Sequence, residues 1–230
     1  MDYVRRSEER GKANFGWLDS RHTFSFGNYY DPQHMGISVL RVINDDIVIG
    51  GAGFDTHGHR DMEIISYILD GTIEHKDSMG NQFTVTQGEV QRMSAGSGIL
   101  HSEYNHSATQ PLRFLQIWIQ PNVRGIKPSY EQAKIKQRNT LTPLVTPNGQ
   151  EGSLMMHQDA WLYRLRLAPN ETMRLSTENR TGYLHIIHGQ ALLAGQQFTS
   201  GDGLGNFSQT PLHLTAGKEG LEGLWFDLPK

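Results

Sequence analysis

Residues 51–71 read GAGFDTHGHRDMEIISYILDG, and this stretch decides the fold. Glu63 to Leu69 is strand-like and stops at Asp70-Gly71. That dipeptide suits a tight hairpin because both residues tolerate positive φ. Thr72 to Lys76 is then the returning strand. The glycines ahead of His57 let the backbone bend at a barrel corner. His57-Gly58-His59 follows them. On a strand, residues i and i+2 share a face, so both imidazoles can reach one interior ion. A His-x-His pair taken alone also fits a solvent-facing strand.

The same rhythm runs outward in both directions. Upstream, Ile37 to Ile43 alternates, Asn44-Asp45-Asp46 predicts a turn, and Ile47 to Ile49 resumes the strand. Downstream, Asp77 to Asn81 predicts a turn, Phe83 to Thr86 a strand and Gln87-Gly88-Glu89 another turn. Arg113 to Gln120 is a strand with Leu115, Ile117 and Ile119 on one face and Phe114 and Trp118 on the other. After Pro121 to Pro128 and a polar stretch, a second set of strands covers Trp161 to Leu167, Tyr183 to Ile187, Ala191 to Leu193 and Leu221 to Leu228. Short alternating segments and 25 glycines, without long helical patterns, predict an all-β protein.

The halves echo each other. Asp70-Gly71, Gln82-Phe83-Thr84 and Gly88 are matched by His188-Gly189, Gln197-Phe198-Thr199 and Gly201. A duplicated all-β unit predicts two small antiparallel β-barrels in tandem. Their expected bounds are 1–125 and 141–230, with 126–140 as linker. The chain of 230 residues is long enough for both cores.

Composition narrows the function. With 37% hydrophobic and 20% charged residues, the chain is not of disordered type. A net charge of −3 gives no electrostatic reason to expect nucleic acid. No apolar run approaches a membrane span, and Met1 to Gly16 is polar and broken by charge, unlike a signal peptide. There is no cysteine, which fits a cytoplasmic location and removes thiolate as a metal ligand.

His101-Ser102-Glu103 repeats the i, i+2 geometry of His57 and His59. Together the pairs offer three neutral imidazoles and one carboxylate. That mixed N/O set suits one divalent ion, Fe(II), Mn(II), Ni(II) or Co(II), with Zn(II) also accommodated. Four protein ligands on an octahedral ion leave two positions open. Glu63 shares strand parity with His59, so strand geometry alone leaves it as an alternative carboxylate. His75 reads as structural or exposed, His106 as near the site mouth, and His22 and His34 as packed among aromatics. Trp17, Phe24, Phe26, Tyr29 and Tyr30 either line an entrance for a flat aromatic molecule or join the core.

The order of these motifs resembles the cupin superfamily. Gly51, His57-x-His59, Glu63 and Gly71 resemble the first cupin motif, and Gly88, Gly96, His101 and Asn105 the second. Within cupins the chain resembles the pirin family. The resemblance is carried by Gly51 to Phe54, Asp61 to Ile64, Tyr67 to Gly71, His75 to Asn81 and Gly96 to Glu103. His22 to Phe26 and Tyr30-Asp31-Pro32 fit its bacterial branch. Gly58 departs from the proline frequent between the two histidines, which leaves the pair less constrained.

The resemblance implies a bicupin with iron in the N-terminal barrel, held by His57, His59, His101 and Glu103. It favours Glu103 over Glu63 as the carboxylate, and Glu103 as the catalytic base. Thr172 to Thr181, where the second barrel's first-motif ligands belong, contains no histidine, so that barrel is expected to be metal-free. The implied activity is that of a quercetin 2,3-dioxygenase, taking a flavonol and O2 and releasing carbon monoxide. The resemblance also implies an alternative, a non-catalytic, iron-dependent redox sensor that binds a protein partner.

Overall fold

In this computed structural model, residues 1–208 and 210–230 are described. The chain is nearly all β, as expected. Apart from strands it carries two single-turn 3-10 helices among the described residues, Ser7–Glu9 and Gln150–Gly152. No described helix is long and apolar enough to cross a membrane.

Two compact units form. The unit of residues 11–135 and 147–158 contains two antiparallel sheets. One has the order Ser129–Ala133, Val90–Ser94, Glu63–Asp70, Leu112–Ile119, Leu40–Val48, Leu18–His22, Gly11–Asn14. The other has the order Gly53–His59, Ile99–Asn105, Thr72–Asp77, Gln82–Thr86. Alternation in these strands sends Val48, Ile68, Ile73, Val85 and Phe114 into one apolar cluster. Ile64, Met93 and Ile99 form another.

The unit of residues 1–10, 136–146 and 159–230 is built on two long antiparallel strands, Thr181–Leu193 and Leu212–Leu228. Its core gathers Leu165, Ile186, Phe198, Leu204, Leu214 and Trp225. The expected domain bounds shift at three places. Tyr3–Arg5 pairs with Gly203–Asn206, and Arg6 meets Asp202 at 3.0 Å, so the first ten residues belong to the C-terminal unit. Residues 129–133, expected as linker, form a strand on Val90–Ser94. Residues 147–158 fold with the N-terminal unit.

Two expected turns are not turns of the kind foreseen. Asp70-Gly71 closes no hairpin. Glu63–Asp70 already pairs with Leu112–Ile119 and Val90–Ser94, while Thr72–Asp77 pairs with Ile99–Asn105 and Gln82–Thr86. Gly71, at φ 82°, instead turns the chain from one sheet into the other. Asn44-Asp45-Asp46 lies inside the continuous strand Leu40–Val48. Asp45 is stabilised on the outer face by two bonds from Arg113, at 2.9 and 2.8 Å. Asn44 and Asp46 point the other way, with consequences for the site.

The internal echo has a structural counterpart. Gly88 N donates to Ile68 O at 3.0 Å, and Ile68 N donates to Glu89 O at 3.2 Å. In the other unit, Gly201 N donates to Ile186 O at 2.8 Å, and Ile186 N donates to Asp202 O at 3.0 Å. The matched glycines thus close the same backbone loop in each half.

Candidate metal centre

The strands Gly53–His59 and Ile99–Asn105 run antiparallel with His57 directly opposite His101. Side chains at i and i+2 share a face, so His59 joins them. The ring centroids lie 4.8 Å apart for His57 and His59, 4.5 Å for His57 and His101, and 4.9 Å for His59 and His101.

Protonation and direction are set by neighbours. His57 Nδ1 lies 2.7 Å from the Asp55 carbonyl oxygen, which can only accept. The proton therefore sits on Nδ1, and the Nε2 lone pair faces inward. It meets His101 Nε2 at 3.1 Å. Two imidazoles bound at about 2.0–2.1 Å to one ion, 90° to 110° apart, have nitrogens separated by roughly 2.8–3.4 Å. The pair fits that separation. Burial, then the neighbouring imidazoles His57 and His75, push His101 down to about 3. Burial, then His101 and His57, push His59 down to about 4. Both rings are neutral at neutral pH, as ligands must be.

Glu103 follows His101 across a β-bulge and is buried. Ser66 Oγ donates to its Oε1 at 3.2 Å and Gln116 Nε2 to its Oε2 at 2.8 Å. Two overlapping groups have ligand atoms within 4.8 Å of one another: His57, His59 and His101, and separately His75, His101 and Glu103. Glu63 is in neither. Ser94 Oγ donates to it at 2.8 Å, and His157 Nδ1 lies 3.5 Å away. His75 is fully buried rather than exposed, with Nε2 2.9 Å from Asp77 Oδ2. His106 is exposed, 3.5 Å from Glu74, and His34 lies 3.9 Å from Asp31.

A cavity of about 1020 Å³ opens beside His57 and His59. Trp17, Phe26 and Tyr29 line it, whereas Phe24 is core and Tyr30 is exposed. Trp118 stands edge-on to His59 at 5.0 Å and to Phe26 at 5.3 Å. Its Nε1 donates to Gln116 Oε1 at 3.3 Å.

Sequence reasoning missed the floor of this cavity. His22, Asn44, Gln116, Ser66, Gln91 and Gln132 stand opposite one another in a single register row across six strands, and the first three of them line the cavity. Glu103, from the other sheet, lands on the middle of that polar row. The signal was present in the parity of Gln116 with Phe114 and Trp118, and in Asn44 and Asp46 flanking an outward Asp45.

Known proteins carry the same architecture. Residues 3–119 match the Pirin family, and residues 143–228 match the Quercetinase C-terminal cupin domain. The quercetin 2,3-dioxygenase of Escherichia coli strain K12 is 47% identical over 231 residues, spanning 100% of this chain and 99% of that protein. The crystal structure of YhhW from Escherichia coli superposes with a TM-score of 0.95 at 47% identity, covering 99% and 97% of the two chains. The same bacterial pirin in complex with nickel(II) gives 0.94 at 46% identity, covering 99% and 98%. With a histidine cluster shaped for a divalent ion and likeness along its whole length, the chain belongs to the pirin family, in which a pirin domain is followed by a cupin domain.

Proposed function

We propose that the protein is a metal-dependent dioxygenase that cleaves a flavonol such as quercetin. The single observation that carries this is the 3.1 Å approach of the His57 and His101 Nε2 atoms beside an aromatic-walled cavity. The proposed ligands are His57, His59, His101 and Glu103, and the proposed ion is Fe(II), with Ni(II), Mn(II), Co(II) and Zn(II) as competitors. Glu103 is preferred to Glu63 because it shares a group with His101, while Glu63 is engaged by Ser94 and His157.

The ion, when bound, lowers the pKa of a coordinated hydroxyl and orients it beside dioxygen. His57 and His101 hold it through Nε2, the His57 tautomer being fixed by the Asp55 carbonyl. Glu103 takes the proton of the flavonol 3-hydroxyl as general base. Ser66 and Gln116 keep that carboxylate in place. Trp118 and Phe26 offer flat apolar surface to the rings and exclude water. The two carbon–carbon bonds of C3 break, C3 leaves with its oxygen as carbon monoxide, and both atoms of O2 remain in the depside ester.

The test is to load purified protein with Fe(II) or Ni(II), confirm metal by elemental analysis, and follow quercetin loss, oxygen uptake and headspace carbon monoxide. His57→Ala and Glu103→Ala run beside it. One O2 consumed and one CO released per quercetin, lost in both variants, is expected. Stoichiometric metal without oxygen uptake would sink the dioxygenase, and failure to bind any divalent metal would sink the ligand set.

A further inference from the structure

Ser20, His22, Asn44 and Asp46 line the cavity from two neighbouring strands, in register as Ser20 opposite Asp46 and His22 opposite Asn44. All four are shielded from bulk solvent. His22 Nδ1 lies 2.8 Å from Asn44 Oδ1 and 3.3 Å from Ser20 Oγ. Ser20 also bonds the Asp46 carboxyl. The other carboxyl oxygen, Asp46 Oδ1, is buried and has no hydrogen-bond partner among the described residues. A buried polar atom of that kind calls for a partner. Asn44 and Asp46 stand one strand, about 4.8 Å, from the strand whose Gln116 holds Glu103. A planar molecule seated at the histidines can therefore reach them.

The chemistry narrows the partner. Burial, and then the charges of Asp45 and Glu103, push the Asp46 carboxyl up to about 7 against the opposing Ser20 bond. Near neutrality the group exists as acid and as carboxylate. A hydroxyl serves both, accepting from the acid or donating to the carboxylate. An anion meets Asp46 and Glu103 as like charges, and an ammonium satisfies only the ionised form.

We propose that Asp46, with Ser20 and Asn44, forms a hydroxyl-recognition subsite that takes a phenolic O–H of the substrate other than the one engaged at the metal. The subsite rests on the flavonol function argued above and adds a basis for choosing among flavonols.

Binding without oxygen tests it. Metal-loaded protein is titrated anaerobically with quercetin and with 3-hydroxyflavone, which keeps only the metal-directed hydroxyl, and tryptophan fluorescence is read. The wild type should prefer quercetin by about tenfold, the scale of one buried hydrogen bond. Asp46→Ala should bring that preference close to unity while leaving 3-hydroxyflavone affinity within about twofold. Circular dichroism checks the fold. If Asp46→Ala does not fold, the similarly shaped but apolar Asp46→Leu and the neighbouring Asn44→Ala decide, each expected to reduce the preference. Equal binding of the two flavonols by the wild type, or an undiminished preference in the folded variants, would overturn the subsite and leave the flavonol function standing. No binding of either flavonol would overturn both.

Discussion

Gln116 donates from Nε2 to Glu103 Oε2 at 2.8 Å, joining the inner face of one sheet to a strand of the other. Its own Oε1 accepts from Trp118, which packs against His59. One amide thus ties the proposed carboxylate ligand to the aromatic wall beside a proposed imidazole ligand. Gln116→Leu keeps the volume and removes both bonds. It should weaken metal binding by about 10–100-fold, the range for partners that orient a ligand. Competition against a chelator of known affinity measures this. Ser66→Ala, which removes the longer 3.2 Å bond, should have a smaller effect.

Metal should also stabilise the fold, because the cluster assembles only when two strands pair. Divalent ion at about 100 times its dissociation constant should add about 2.7 kcal/mol if the unfolded chain does not bind it. His101→Ala removes the member shared by both candidate groups. Thermal melts with and without metal should separate in the wild type and coincide in His101→Ala. Equal separation in both would place the ion elsewhere.

The histidine pairs were legible because imidazoles two apart on a strand have few other reasons to converge. The polar floor was not. Asn44-Asp45-Asp46 carries a strong local turn signal, and only tertiary pairing reveals it as strand, with Asp45 held by Arg113 outside and Asp46 by Ser20 inside. Asp70-Gly71 was ambiguous for a related reason. A hairpin turn and a corner between sheets both use a residue at positive φ, and the difference lies in partners far along the chain. Tyr3–Arg5 shows the same limit, since its partner strand lies about 200 residues away.

Asp46 makes stability depend on pH with a definite sign. Its carboxyl is pushed up to about 7 from an ordinary value of 3.8, so between those limits the folded state binds more protons than the unfolded. The stabilisation is fully present below about 4 and is lost as pH rises through about 7. In the metal-free protein His59 and His101 act oppositely. Their depressed values mean that stability falls as pH drops below the ordinary 6.5, down to about 4 and 3. Asp46→Asn removes only the first effect. Its stability relative to wild type should therefore increase from pH 4.5 to pH 8, by on the order of a few kcal/mol. Melts of both metal-free proteins across that range provide the check, and a constant difference would contradict it.

Two glycines near the histidines should respond to alanine with opposite signs. A Cβ on Gly53 would lie 2.5 Å from Glu103 O and from Tyr104 Cα. Those are backbone atoms of the strand that carries His101, so the strand bearing His57 and His59 would be forced away from it. Gly53→Ala should cost about 1–3 kcal/mol and loosen metal binding with it. A Cβ on Gly58 would instead meet the Leu100 Cδ2 methyl at 3.2 Å. Leu100 is half exposed and free to turn aside. Gly58→Ala should therefore keep the metal and gain about 0.4–1 kcal/mol, through the smaller conformational freedom of its unfolded chain. Denaturant titration and metal stoichiometry of the two variants side by side settle whether close backbone approach, and not flexibility, is what requires glycine at 53.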